Sequence, residues 1–286
     1  MIDYDKLMAR DFPPVEQSYS ARDSMLYALG LGLGADPLNP AHLRATYEGA
    51  EGFCALPSMV VVLAGPGFWA MEPDTGISWQ HLLHGEQSLT LHGPLPPEGR
   101  LIGRTRITNI IDKGEGRGAL IYSERDLTDK ATGAKIATVA GTSFARADGG
   151  FGGPAGPLKP VHALPETAPQ TVFDHATQPG SALIYRLSGD YNPLHADPAV
   201  ARQAGFDRPI LHGLCTLGVA AWSITQALAD GDPAALKHLQ LRFSAPVFPG
   251  ETIRTEMWRD GDAVSFRARV VERDVVVLNN GLARLG

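Results

Sequence analysis

The sequence contains little cysteine and no long apolar run. Only two cysteines, Cys54 and Cys215, occur among the 286 residues, and both stand in apolar surroundings, so a disulfide framework is not indicated. No apolar run approaches the ~20 residues that a membrane-spanning helix needs. The amino-terminal segment MIDYDKLMARDFP is too polar for a secretory signal. These absences predict a cytoplasmic protein that makes no use of a membrane.

Positive charge is also in short supply. The chain carries 25 Lys and Arg against 31 Asp and Glu, a net charge of -6. A general nucleic-acid binder would need a basic face, so that class is not expected. A small basic pocket for a phosphorylated ligand remains compatible with this balance. The length and the 44% hydrophobic content suit one large domain or two ordinary ones with a real core.

Patterns for nucleophilic, redox and metal chemistry are missing as well. No G-x-S-x-G element is present, and neither cysteine has a polar setting. The stretch GLGLGA at 30–35 imitates a dinucleotide-binding motif, but Pro37 and Pro40 interrupt the helix that this motif requires. His81, His84 and Glu86 lack the spacing or cysteine partners of a metal site. We therefore expect no metal and no cofactor.

The chain divides into two halves around a segment rich in glycine and proline. Residues 147–169 form this linker, which separates an amino-terminal half, 1–146, from a carboxy-terminal half, 170–286. Alternating polar and apolar residues predict antiparallel strands in both halves. The predicted strands are 86–92, 100–111, 117–128 and 134–146 in the first half, and 251–259, 263–272 and 275–284 in the second.

Each half also contains a candidate buried helix. Segment 214–229 is apolar nearly all round, which is typical of a helix surrounded by protein. Segment 56–63 is its counterpart, with Pro57 in the first turn. The order of elements repeats at an offset of roughly 150–160 residues. This predicts an α+β fold in which each of two repeats wraps an antiparallel sheet around a buried helix.

The densest polar stretch lies at 185–218. Gly189 permits an unusual backbone angle, and Pro193 keeps the preceding residue out of the helical region. Asp190 follows Gly189 directly, and His195 lies two residues after Pro193. A carboxylate and an imidazole on one short loop can bind a water and transfer its protons. The pattern predicts addition of water to a double bond or its removal; the same residues could instead only cap their own loop.

A helix start follows this loop at His212-Gly213. The first N–H groups of a helix have no partner within the helix, and a glycine lets a ligand approach them. The N–H of Gly213 could therefore stabilise the oxygen of a thioester as it gains charge. Gly213 could also be a close-packing glycine. For His212 we prefer a structural role at the helix start over a role as a base.

These motifs resemble a known family. The stretches YRLSGDYNPLH and LHGLCTLG are similar to the signature of (R)-specific 2-enoyl-CoA hydratases, or hydratase 2, a group of MaoC-like dehydratases. RDSMLYALGLG, YEG, LLHGEQSL, LPPEGR, GGFGG and TEMW resemble the hydratase domain of peroxisomal multifunctional enzyme type 2. The resemblance implies a double hot-dog fold whose first repeat holds the acyl tail and whose second repeat is catalytic.

The resemblance also implies roles for individual residues. The catalytic positions are Asp190, His195, Asn192 and Gly213. The substrate contacts are His84, Gly85, Lys113, Tyr191, Pro193, Leu194 and Phe243. Glu48 and Tyr185 match positions important in the family, with no role that follows from the sequence. The implied substrate is an acyl-CoA thioester, with coenzyme A as part of the substrate and a homodimer as the assembly.

The sequence thus predicts a hydro-lyase of fatty acyl-CoA metabolism, such as β-oxidation. It would hydrate trans-2-enoyl-CoA reversibly to (3R)-3-hydroxyacyl-CoA. Two alternatives remain open: a hot-dog thioesterase that hydrolyses the same kind of thioester, and a non-catalytic acyl-CoA-binding subunit. A thioesterase would release free thiol, and a binding subunit would turn nothing over.

Overall fold

The computed structural model describes all 286 residues, which form six α-helices and ten β-strands. The α-helices are α1 (Tyr4–Met8), α2 (Ala21–Gly30), α3 (Pro40–Thr46), α4 (Ser181–Tyr185), α5 (Pro198–Gln203) and α6 (Gly213–Leu228). The strands are β1 (Val15–Tyr19), β2 (Leu82–Leu91), β3 (Gly99–Asp112), β4 (Ala119–Asp129), β5 (Lys135–Ala145), β6 (Thr171–Ala176), β7 (Leu236–Phe243), β8 (Thr252–Asp260), β9 (Ala263–Val270) and β10 (Val275–Leu285). None of the helices combines the length and the apolar character needed to cross a bilayer.

All ten strands join one antiparallel sheet. Their order is β1-β3-β4-β5-β2-β7-β10-β9-β8-β6. From each edge of the sheet to its middle, the two halves have the same strand order. β6, β7, β8, β9 and β10 occupy the positions that β1, β2, β3, β4 and β5 occupy in the first half. The predicted repeat is therefore present in the topology. With a helix held inside the curve of the sheet, this arrangement is a double hot-dog fold.

The two halves are joined at the middle of the sheet. Strand β2 of the first half pairs with β7 of the second over five residue pairs, from Glu86 opposite Arg242 to Thr90 opposite His238. On the inner face, Leu89 lies opposite Leu239, and both are fully buried. The larger of two apolar clusters, with 44 buried residues, runs through both halves, and a smaller one of ten residues lies in the first half.

The central helices of the two repeats differ in length. In the second half, α6 extends for 16 residues and its first eleven residues after Leu214 are all buried. In the first half, the predicted helix at 56–63 is only a five-residue 3-10 helix, Pro57–Val61. The predicted buried helix with proline at its start is therefore present, but it is a 3-10 helix and is shorter than segment 56–63.

The first-half helix is short because side chains from the sheet end it. The guanidinium of Arg125 donates hydrogen bonds to the carbonyls of Val60 (3.2 Å) and Val61 (2.9 Å). Ala64 then adopts a left-handed conformation with φ 46°, and its N–H donates to the side chain of Gln17. These contacts satisfy carbonyls that a longer helix would have paired with its own N–H groups.

The alternation pattern located seven of the ten strands. The bounds differ by a few residues, and the two-residue connection after Asp260 is a tight turn in which Gly261 has φ 60°. Strands β1, β6 and β7 were not predicted. β1 and β6 are edge strands of only five and six residues, which leaves few positions in which an alternation can be recognised.

Residues 147–169 contain no helix or strand, yet several hydrogen bonds hold them in place. The carboxylate of Asp112 accepts the N–H groups of Gly150 (2.7 Å) and Gly152 (2.8 Å). Farther along, His162 contacts the hydroxyl of Ser265, and the indole of Trp258 donates to the carbonyl of Thr167. The linker is thereby fixed along the outer face of the sheet.

Candidate active site

The loop after α4 has the local geometry that its sequence predicts. Gly189 adopts φ 128°, a value that other residues rarely adopt. Asn192, before Pro193, is extended with φ -55° and ψ 120°. The side-chain oxygen of Asn192 accepts the N–H of Leu194 at 3.0 Å and so caps a 3-10 turn, Pro193–His195. This turn carries His195 into the protein and leaves Asp190 half-buried.

A hydrogen bond fixes the tautomer of His195. Its Nδ1 lies 2.9 Å from the carbonyl oxygen of Ile210, which can only accept a hydrogen bond, so Nδ1 carries the proton. The lone pair is therefore on Nε2. Burial lowers the pKa of His195, although this contact with Ile210 and the charge of Asp190 act in the opposite direction. The neutral imidazole is thus favoured, with Nε2 able to accept a proton.

His212 contacts this loop at two residues, His195 and Asp190. Its ring stacks on the ring of His195 with centroids 3.8 Å apart. Its Nε2 lies 3.1 Å from the backbone carbonyl of Asp190, so Nε2–H donates there. Burial, followed by the neighbouring His195 imidazole, lowers the pKa of His212 to about 4. His212 is therefore a neutral hydrogen-bond donor that positions the backbone of Asp190.

The titratable groups of the loop and the helix start converge. One donor atom from each of Asp190, His195 and His212 lies within 4.8 Å of the others. Tyr185 packs beside them, with its ring centroid 5.0 Å from that of His212 and 5.5 Å from that of Tyr27. Burial raises the pKa of Tyr185 well above its usual value. The cluster thus offers the carboxyl group of Asp190, the unprotonated Nε2 of His195 and the ring of a neutral Tyr185.

The start of α6 provides hydrogen-bond donors next to this cluster. Gly213 is the first residue of the helix, and its N–H has no acceptor within the protein. Its Cα faces the ring of Phe243, where an added Cβ would lie 3.0 Å from Cε1. The Phe243 ring in turn packs on His84, with centroids 4.7 Å apart. An apolar wall therefore stands beside a free N–H at the positive end of a helix.

Comparison with known proteins matches both halves of the chain. The family model described as MFE-2 hydratase 2 N-terminal domain matches residues 17–147, and the one described as MaoC like domain matches residues 160–281. A Dictyostelium discoideum protein named "Probable enoyl-CoA hydratase 2" is 38% identical over 289 residues, covering 99% of this chain and 96% of that protein. The chain belongs to the enoyl-CoA hydratase 2 family.

Of two further relatives of this hydratase 2 chain, one is much longer than it and the other has about the same length. The mouse (Mus musculus) protein named "Peroxisomal multifunctional enzyme type 2" is 39% identical over 283 residues, which are 96% of this chain but 37% of that longer protein. The crystal structure of a MaoC-like dehydratase from Phytophthora capsici superposes with a TM-score of 0.87 at 36% identity, covering 99% of this chain and 98% of that one. The family and the fold implied by the sequence motifs are therefore confirmed.

The remaining residues that the hydratase 2 resemblance implied are not all part of the cluster. Gly85 follows His84 at the bulge in β2, and Pro193 and Leu194 lie in the capped turn. Tyr191 is 58% exposed and lies under the guanidinium of Arg186. Lys113 lies over the ring of Phe144 at 4.7 Å, and Glu48 is exposed in the turn after α3. No hydrogen bond, ion pair or aromatic contact joins Lys113 or Glu48 to the cluster.

The carbonyl of Ile210 was missed from the sequence in this hydratase 2 site, and His212 was assigned a structural role without its partner. The carbonyl of Ile210 fixes the His195 tautomer, but it acts through the backbone, so no side-chain pattern could have revealed it. The contact of His212 with the Asp190 backbone spans 22 positions. Its only sequence signal is a histidine placed directly before a buried helix.

Proposed function

We propose that this hydratase 2 chain adds water reversibly to trans-2-enoyl-CoA and forms (3R)-3-hydroxyacyl-CoA, with Asp190 and His195 holding the water. The observation that carries the proposal is the convergence of the Asp190 carboxylate and the free Nε2 of His195 beside the unpaired N–H of Gly213. Hydration needs no covalent intermediate, and the site presents no activated nucleophile. The buried thiol of Cys215 has its pKa raised by burial, which disfavours the thiolate.

In the proposed step, the water lies between the carboxylate of Asp190 and Nε2 of His195. Nε2 accepts a proton as the water oxygen bonds to C3 of the enoyl group. A proton is then returned to C2 from the same face. The fixed Nδ1–H of His195 keeps Nε2 available as the acceptor, and the lowered pKa keeps the imidazole neutral at physiological pH.

Negative charge develops on the thioester oxygen during this step. We propose that the oxygen accepts the N–H of Gly213, where the dipole of α6 adds a favourable potential. One such donor typically stabilises a transition state by ~3–4 kcal/mol. The ring of Phe243 packs directly on the backbone of Gly213, where an added Cβ would lie 3.0 Å from Cε1, so it forms one wall beside the N–H.

The remaining parts of the substrate are assigned by the family resemblance. Lys113 would contact phosphates of coenzyme A, and the first repeat would hold the acyl tail. The reaction would proceed without a metal or redox cofactor. The assembly would be a homodimer of such chains, which sedimentation at several protein concentrations measures directly.

The test is hydration of a medium-chain trans-2-enoyl-CoA, followed by loss of the conjugated absorbance and by chiral analysis of the product. Asp190→Asn is measured beside the unaltered chain, with and without a metal chelator. We expect the (3R) alcohol from the unaltered chain, no effect of the chelator, and little product from the variant.

Other results would overturn the proposal. Release of free thiol in place of the alcohol would identify a thioesterase. Saturable binding of enoyl-CoA without turnover would identify a binding subunit. Loss of activity with the chelator, restored by a divalent metal, would replace the water-holding pair by a metal site.

A further inference from the structure

A partly open cavity lies on the outer face of the sheet, beneath the linker. It is bounded by residues 159–162 on one side and by strands β2, β5, β7 and β10 on the other. Its volume is about 140 Å³, and only three of its fourteen lining residues are hydrophobic. A polar cavity of this kind is built to hold solvent or a polar ligand.

This cavity is separate from the candidate active site, although the same strands line both. Successive side chains of a strand point to opposite faces of the sheet. On β7, Phe243 packs against Gly213 and His84 at the active site, whereas the preceding Arg242 lines the cavity. The sheet itself therefore divides the two spaces.

The single acidic side chain of the cavity is already satisfied. One carboxylate oxygen of Glu86 accepts Nε–H of Arg242 at 2.7 Å, and the other accepts the hydroxyl of Thr142 at 2.8 Å. Glu86 therefore neutralises one positive charge and has little capacity to attract a cation as well.

Several donors around the cavity have no partner. The two terminal nitrogens of Arg242 make no hydrogen bond within the protein, because Glu86 is held through Nε. The ammonium of Lys159 has no carboxylate partner and lies 4.6 Å above the ring of Tyr122. The amide nitrogen of Gln240 is also free, since its oxygen faces His238. The lining thus has a surplus of donors and one uncompensated positive charge.

We propose that this cavity binds a small anion of the carboxylate or phosphate class. Arginine and lysine donors form their strongest hydrogen bonds with such oxyanions. The volume of about 140 Å³ leaves room for inorganic phosphate or a short carboxylic acid. The proposal is independent of the reaction at the active site.

The proposal is tested by titrating the full chain separately with inorganic phosphate and with acetate, and by following binding through NMR of the arginine side chains. We expect saturable binding of at least one anion, and the two titrations show which class is preferred. Lys159→Gln should weaken binding about tenfold, the loss of roughly one charge-assisted contact. Glu86→Gln should tighten binding, because it frees Arg242 from its competing carboxylate.

A matched control comes from another arginine on the outer face. Arg254 on β8 pairs across strands with Asp174, three strands away from β7, and Arg254→Gln should leave anion binding unchanged. Lack of saturable binding by either anion, or equal binding by the chain with Lys159→Gln, would overturn the proposal. So would displacement of the anion by coenzyme A, which would make the cavity part of the substrate site.

Discussion

The two halves of the molecule share one topology but differ at the positions to which we assign catalysis. After α4, the second half presents Asp190 and His195, whereas the equivalent segment after α2 continues from Tyr27 into glycines and leucines. The central helix is 16 residues long in the second half and five in the first. The sheet therefore does not require the Asp190–His195 loop or a long helix in both repeats.

The largest effect on the rate of hydration is expected when the carboxylate of Asp190, in the second half, is removed. Asp190→Asn should lower kcat/KM for hydration about a thousandfold, because an amide cannot orient and polarise the water as a carboxylate does. The matched control is Asp36→Asn in the first half, where an exposed Asp36 accepts the N–H of Leu38 at 3.0 Å. Equal losses in both variants would contradict the assignment of catalysis to the second half.

A smaller effect is expected at the start of α6. Gly213→Ala should reduce kcat about a hundredfold, since the new methyl group lies against Phe243 and blocks access to the N–H. Gly218→Ala, in the same helix, is the control: its methyl group would lie 2.7 Å from a methyl group of Leu31, in the core between the halves. That variant should lose about 1–3 kcal/mol of stability, measured by urea unfolding, while kcat is retained.

The first half should respond in stability more than in rate. Arg125→Met removes donors to both carbonyls: that of Val61 is left without a partner, and that of Val60 keeps only the N–H of Leu63 at 3.4 Å. The free energy of unfolding should fall by about 2–4 kcal/mol. Urea denaturation gives the value, and kcat on a short-chain enoyl-CoA gives the comparison. A large loss of kcat without loss of stability would place Arg125 in the reaction itself.

The smallest effect concerns pH. An unfolded histidine titrates near ~6.5, whereas the pKa of His212 in the folded chain is about 4. Between these values the unfolded chain binds the extra proton, so stability falls as the pH is lowered. From pH 7 to pH 5 the loss attributable to His212 should be about 2 kcal/mol. Urea unfolding at the two pH values measures it, and His212→Gln should remove that part of the dependence, whereas an unchanged slope would contradict it.

Much of this architecture follows from local sequence, but some of it depends on distant contacts. Strands with strong alternation, such as β3 and β4, and the backbone of Gly189 are encoded by neighbouring residues. The end of the first-half helix depends on Arg125, which is more than sixty positions away from Val60. A local pattern cannot contain such a contact, which is why the predicted helix, 56–63, is longer than the observed one, Pro57–Val61.

The same limit applies to the site. Asp190, Asn192 and His195 lie within one short stretch whose chemistry can be read directly, and the sequence identified them as candidates. The tautomer of His195 and the stacking of His212 depend on how α6 is placed against the loop. The sequence therefore predicted the reacting groups as candidates but not their protonation or orientation.

Because β2 and β7 belong to one chain, their pairing affects how stability depends on protein concentration and how freely the two repeats can differ in sequence. Because the seam between the repeats lies within one chain, its formation is unimolecular and does not depend on protein concentration. A pair of separate hot-dog subunits would have to keep identical sequences on both sides of such a seam. Within one polypeptide each side can vary independently, so one repeat can specialise in holding a ligand while the other retains the acid and the imidazole.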